Sequence, residues 1–192
     1  MGEPPCRLAV VGASWGGFEA VASLLAALEP DLCFPIVVAQ HRGPDVGEGA
    51  LLRWLQSRCT LPVREAEDKD GLEAGHVYVS PAEYHLLVDD DHLVLSVDDA
   101  VRFSRPSIDV LFESAADSYG ADVVGVVLTG ANEDGCRGVL AIKEAGGRVY
   151  VQDPATAERP EMPEAAIGTG LVDRVLPLPA IAAVLNEIGG RG

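Results

Sequence analysis

At 192 residues, 48% of them hydrophobic, the chain is long enough to bury the core of one ordinary domain without disulfide staples. Fourteen Lys and Arg against 30 Asp and Glu leave a net charge of −16, which repels nucleic acid and anionic membrane surfaces and excludes both as partners. Cys6, Cys33, Cys59 and Cys136 form no C-x-x-C pair, so neither a zinc site nor a redox dithiol is expected, and no apolar run approaches the roughly 20 residues that span a bilayer.

Met1 to Pro5 carry no basic segment or apolar stretch of a signal peptide, and the expectation is a soluble, cytoplasmic single domain over residues 1–192. The β-branched run Leu8–Val11 predicts a buried strand, and the residues after Gly17 have helical spacing. Gly12-Ala13-Ser14-Trp15-Gly16 must therefore be the turn between them. It fits a nucleophile elbow, in which small residues two before and two after the serine let the backbone bend and push the hydroxyl outward. Backbone N–H groups at the start of the helix are suited to hold a developing oxyanion. The other reading of such a turn is a phosphate or dinucleotide loop. Against it, Ser14 replaces the second glycine of G-x-G-x-x-G, and no G-K-[ST] follows.

Phe18, Val21, Leu25 and Leu28 form one helical stripe, closed by Pro30. Ile36–Ala39 reads as a strand covered on both faces and ends at Gln40-His41. His41 is either a packing residue or a catalytic one, and its place beyond the carboxyl end of a parallel strand, beside Ser14, favours a site. A helix is predicted from Gly47 to Arg58, with Leu51, Leu52 and Leu55 inward. Strands follow at Pro62–Glu65, His76–Val79, His85–Val88 and His92–Ser96, the last two joined as a hairpin through Asp89-Asp90-Asp91. His76, His85 and His92 are read as structural.

Ser104-Arg105-Pro106-Ser107 introduces a helix with Ser104 as its cap and Pro106 in its first turn; Ile108, Leu111, Phe112, Ala115 and Tyr119 set its apolar face. Arg102 and Arg105 either pair with nearby carboxylates or meet an acidic substrate segment. The strand Asp122–Leu128 ends in Thr129-Gly130-Ala131-Asn132-Glu133-Asp134-Gly135, where Asp134 has two readings: a cap of the next helix, or a carboxylate that orients an imidazole. A strand at Arg148–Val151 and a loop at Gln152–Pro163 that is long enough to border a cleft come next. A short Ala-rich helix, Leu171-Val172-Asp173 and a helix with Ile181, Val184, Leu185 and Ile188 inward complete the chain. The fold class is α/β: an open, mainly parallel, doubly wound (Rossmann-like) sheet with helices on both faces and a β-hairpin insertion.

Ser14, His41 and Asp134 thus fall at one edge of one sheet, in an order unlike that of the α/β-hydrolases, chymotrypsin or subtilisin. The sequence resembles the catalytic domain of CheB-type protein-glutamate methylesterases of bacterial chemotaxis: G-A-S-x-G-G stands at Gly12–Gly17, Q-H at Gln40-His41, R-P-S-x-D-V-L-F at Arg105–Phe112 and L-T-G-x-x-x-D-G at Leu128–Gly135. The resemblance implies Ser14 as nucleophile, His41 as general base and acid, and Asp134 as the residue orienting it. It also implies hydrolysis of glutamate γ-methyl esters on the cytoplasmic domain of chemoreceptors, with deamidation of receptor glutamines in many members and no metal or cofactor. Trp15, Ala131 and Arg105 are its expected oxyanion or substrate contacts.

Three departures stand out. The chain starts too close to its first strand for a preceding receiver domain, so a stand-alone esterase is expected. Leu128-Thr129-Gly130-Ala131-Asn132 replaces the typical L-T-G-M-G. Trp15 follows the nucleophile where a small Thr is common, which is expected to narrow or recast the pocket. Alternatives are a partner-binding module without activity on the same fold, and a serine esterase for small soluble esters. With so acidic a chain, docking on an acidic receptor is expected to use Arg42, Arg102 and Arg105; the sequence leaves the oligomeric state open.

Overall fold

A computed structural model describes residues 6–43 and 49–190. The chain builds β1 (Leu8–Ala13), α1 (Gly17–Ala26), β2 (Ile36–Gln40), α2 (Ala50–Gln56), β3 (Val63–Glu65) and β4 (Val77–Val79). The hairpin β5 (His85–Asp89) and β6 (His92–Ser96) follows, then α3 (Ile108–Tyr119) and β7 (Val123–Val127). The last elements are α4 (Cys136–Glu144), β8 (Arg148–Gln152), α5 (Glu161–Gly168), β9 (Arg174–Leu176) and α6 (Leu178–Gly189). The part of the second helix expected before Ala50 includes residues outside those described.

Seven strands form one sheet in the order β3-β4-β2-β1-β7-β8-β9, all paired in parallel. Residues of β1 alternate between two cores. Ala9, Val11 and Ala13 pack with α1, α2 and α6, whereas Leu8 and Val10 pack with α3, α4, α5 and the hairpin. Both faces are therefore dry, which is why the central strands read as unbroken apolar runs; each large side chain buried there contributes about 1.5–3 kcal/mol. The hairpin is a separate antiparallel sheet that lies against α3.

The strand order reverses between β1 and β7, the place where open α/β sheets hold their sites. Register makes the ends level. Ala13 pairs with Gln40, and Gly12 with both Ala39 and Val127, so the residues that follow β1, β2 and β7 emerge side by side.

One expectation shifts. Ser107, not Ser104, caps α3: its Oγ accepts the Val110 N–H at 3.4 Å, and Pro106 lies before the cap because the chain is still extended at Ser107. A last strand not assigned from the sequence falls at Arg174–Leu176, just after Leu171-Val172-Asp173, with Arg174 aligned to Tyr150 of β8.

Candidate active site

Ser14 is the first residue after β1. Its N–H donates to the Thr129 carbonyl at 3.0 Å, and its carbonyl accepts the Gly17 N–H at 2.9 Å and the Gln40 side-chain amide at 2.8 Å. Gly16 makes the bend with φ of 75°, a left-handed backbone that favours glycine. Gly12 serves a different need: a Cβ there would lie 2.4 Å from Ile108 Cγ2, so its absence lets α3 approach β1.

His41 follows β2 and is tied to β1 through its own N–H, which donates to the Ala13 carbonyl at 3.0 Å. The imidazole Nδ1 stands 3.1 Å from Ser14 Oγ, and Nε2 stands 2.7 Å from Asp134 Oδ2. Gln40, for which the sequence offered no role beyond its place in the Q-H motif, braces Ser14 and His41: its amide nitrogen donates to both of their carbonyls.

Asp134 sits on the loop after β7 with no side-chain exposure. Its Oδ1 accepts from Ser107 Oγ and the Asp109 N–H, both at 3.0 Å, and Oδ2 accepts the Ile108 N–H at 2.7 Å as well as His41. The carboxylate therefore occupies the positive end of α3. It does not cap α4, the alternative open in the sequence. The N–H groups of Gly135 and Gly138 at that helix start are taken by Asp109 Oδ1, each at 2.9 Å.

Burial alone would raise the Asp134 carboxyl, but the hydrogen bonds from His41, Ile108 and Asp109 outweigh it and hold it below the usual carboxylate range. Asp109 goes the other way: burial, with the nearby Asp134 charge, raises it despite the two N–H donors. An ionised Asp134 only accepts, so His41 carries its proton on Nε2 and turns the Nδ1 lone pair to Ser14.

Ser14 and His41 open into a cavity of about 420 Å³. Phe103, Ser104 and Arg105 form one wall and Asn132 another. The Phe103 side chain is fully exposed on a tight turn in which both it and Arg102 have positive φ. Of the expected contacts, Arg105 reaches the cavity, but its Nη1 donates to the Val97 and Asp98 carbonyls, each at 3.0 Å. Arg102 pairs with Glu133 at 2.5 Å, and Arg42 with Glu65 and the Ser80 carbonyl, so the expected basic docking spots are largely engaged within the chain.

Trp15 does not narrow the cavity. Its indole N–H donates to Glu158 at 3.0 Å and the Arg159 guanidinium lies 5.6 Å from the ring centre, both on the loop after β8, and the side chain stays 60% exposed. That loop is stitched to the turn at Ser14 by Thr129 Oγ1, which accepts the Arg159 N–H at 2.9 Å and donates to the Trp15 carbonyl at 3.0 Å. It borders a separate depression of about 170 Å³ with Gly16 and Glu19 instead of the Ser14 cavity. Ala131 is exposed and is not a wall residue; its neighbour Asn132, a variable position of the L-T-G-x-x-x-D-G motif, is, and so is Phe103, which belongs to no motif in the sequence. Among the described residues no group of three or more His, Cys, Asp or Glu stands close enough to hold a metal ion, and no helix is long and apolar enough to cross a membrane.

Residues 9–185 match the family model for CheB methylesterase. A Leptospira interrogans protein, provisionally named protein-glutamate methylesterase/protein-glutamine glutaminase, is 46% identical over 180 residues, which cover 93% of each chain. Protein-glutamate methylesterase FrzG of Myxococcus xanthus is 40% identical over 185 residues, 96% of this chain and 55% of that longer protein. The crystal structure of the Thermotoga maritima CheB methylesterase catalytic domain superposes with a TM-score of 0.92 at 32% identity, covering 96% of this chain and all of that one. The chain belongs to the CheB methylesterase family.

Proposed function

We propose that this protein hydrolyses glutamate γ-methyl esters on the cytoplasmic domain of a chemoreceptor, releasing methanol, with Ser14, His41 and Asp134 as its catalytic triad. The observation that carries the reading is the continuous relay from Ser14 Oγ through both ring nitrogens of His41 to a buried, ionised carboxylate. Ser14 Oγ attacks the ester carbonyl while its proton passes to His41 Nδ1, and Asp134 stabilises the imidazolium through Nε2–H. The tetrahedral intermediate expels methoxide, which leaves as methanol with the proton from Nδ1. Water then attacks the acyl-enzyme, giving its proton to the same nitrogen, and glutamate departs as Ser14 is restored. Applied to a γ-carboxamide, the same steps release ammonia, the glutaminase activity in the names of the relatives.

The backbone N–H groups of Trp15 and Ala131 are the proposed oxyanion donors. Neither has an acceptor among the described residues, which leaves both for a ligand oxygen. Phe103 is the proposed apolar contact for the receptor helix beside the cavity mouth, with Arg105 deeper in the wall. The test is methanol release from a methyl-labelled receptor fragment, with Ser14→Ala alongside. A loss of about 10⁴-fold or more in the variant is expected; equal release from both proteins, or none from the parent on several receptors, overturns the reading.

A further inference from the structure

Asn132 stands where the typical L-T-G-M-G loop has its second glycine, and its amide touches both ends of the relay. The Asp134 N–H donates to one end at 3.1 Å, and a backbone N–H can only donate, so that end is the oxygen. The other end, 3.3 Å from His41 Nδ1, is therefore the NH₂ group, which can only donate in turn. On the far side of the ring a carboxylate, which can only accept, faces Nε2.

We propose that Asn132 is a positioning residue that locks His41 in the Nε2–H tautomer and holds Nδ1 as the base, by donating its side-chain amide to that nitrogen. The inference rests on the reading of His41 as general base. The opposite tautomer is opposed twice, because Nδ1–H would meet the Asn132 NH₂ and a bare Nε2 would meet the Asp134 oxygen. Ser14 Oγ, at 3.1 Å, is the nearer partner of Nδ1, and the two donors share its one lone pair. Once the proton has moved to Nδ1, it faces a second donor. That contact favours handing the proton on to the leaving methoxide over retaining it. Loop geometry delivers this economically, since residues 132 and 134 hold the ring from opposite nitrogens and are themselves joined by the Asp134 N–H.

Other charges near His41 are balanced locally. Arg42, next in the chain, pairs with Glu65; Arg105, across the cavity, binds the Val97 and Asp98 carbonyls. Behind Asp134, Asp109 and Glu133 share Arg102, and Cys136 begins α4. All are common to parent and variants, so a difference between the proteins reports position 132.

The deciding substitution is Asn132→Asp, which keeps the oxygen for the Asp134 N–H and turns the donor at Nδ1 into an acceptor. A carboxylate this close favours an imidazolium by about one to three pH units. The acidic limb of the kcat/KM profile for ester hydrolysis is expected to move up by about a unit or more, with activity recovering on the alkaline side. Asn132→Gly, which removes the donor without adding charge, moves the limb in the same direction by less. Imidazole ¹⁵N spectra of the parent show Nδ1 unprotonated at rest, and those of Asn132→Asp show both nitrogens protonated to higher pH. Profiles and ¹⁵N shifts of Asn132→Asp that superimpose on the parent's overturn the proposal, as does a parent spectrum with the proton on Nδ1. The spectra need no turnover, so an inactive parent would defeat the esterase reading while the role of Asn132 is still decided.

Discussion

Replacing Asp134 by Asn removes one charge and exchanges one acceptor oxygen for a donor. The carboxylate accepts four hydrogen bonds, two on each oxygen, from Ser107, Asp109, Ile108 and His41. Whichever way the new amide is turned, its NH₂ abuts a backbone N–H of a fully buried residue: Ile108 on one side, Asp109 on the other. One buried donor left unpaired costs about 1–3 kcal/mol, and in a domain of this size each kcal/mol is about 2–4 °C of melting temperature. A fall of roughly 2–12 °C at pH 7 is expected, with kcat down by about 10⁴-fold because the imidazole loses the partner that fixes its tautomer. The folded state holds the Asp134 carboxyl below its unfolded value near 3.8. Its contribution is therefore fully present above that pH and lost as pH falls below it, so the gap between parent and variant is constant from pH 7 to about 5 and closes under stronger acid. Thermal melts across that range, with ester turnover in parallel, make the measurement. An Asp134→Asn protein that melts with the parent at pH 7 and keeps a tenth of its activity refutes the reasoning.

Two further outcomes follow from the site's surroundings. Phe103→Ala removes an exposed ring from the cavity rim and is expected to raise KM for a receptor fragment several-fold, with kcat on a small methyl ester unchanged; steady-state kinetics on both substrates separate docking from chemistry. Gly12→Ala sets a Cβ 2.4 Å from Ile108 Cγ2, so α3 must shift. Overpacking of this kind costs about 1–3 kcal/mol. Since the Ile108 N–H holds Asp134, denaturant unfolding and kcat should both suffer, whereas a variant impaired in neither would show that the close approach of α3 is dispensable.

Local pattern was enough to place Ser14, His41 and Asp134 at strand ends, because parallel strands buried on both faces are continuous apolar runs and whatever follows them emerges at one edge. Glycine content marked the bend at Gly16, since few other residues adopt its backbone. What Asp134 does was not legible: capping α4 and orienting His41 suit the same sequence position, and only the approach of α3 decides between them. Ser107, Ile108 and Asp109 are about 25 residues from Asp134 in the chain, and a residue's neighbours at that separation are set by packing, not by spacing. Gln40 and Asn132 stood within motifs that the sequence showed, but no role could be read for either, because Gln40 holds Ser14 and Asn132 meets His41, residues of other strand ends.

Trp15 shows the limit from the other side. Its place after Ser14 pointed to the pocket, yet the turn at Gly16 and the loop from Gln152 carry the indole to Glu158. The sequence by itself determined the alternation of strand and helix and the edge where Ser14, His41 and Asp134 emerge, because these follow from burial period and turn geometry; their roles it offered only through the resemblance to CheB-type methylesterases. Which side chains turn toward one another at that edge, and which nitrogen of His41 faces the serine, was decided only when β1, β2, β7 and the start of α3 met, since hydrogen-bond direction depends on atoms that the chain brings together from afar.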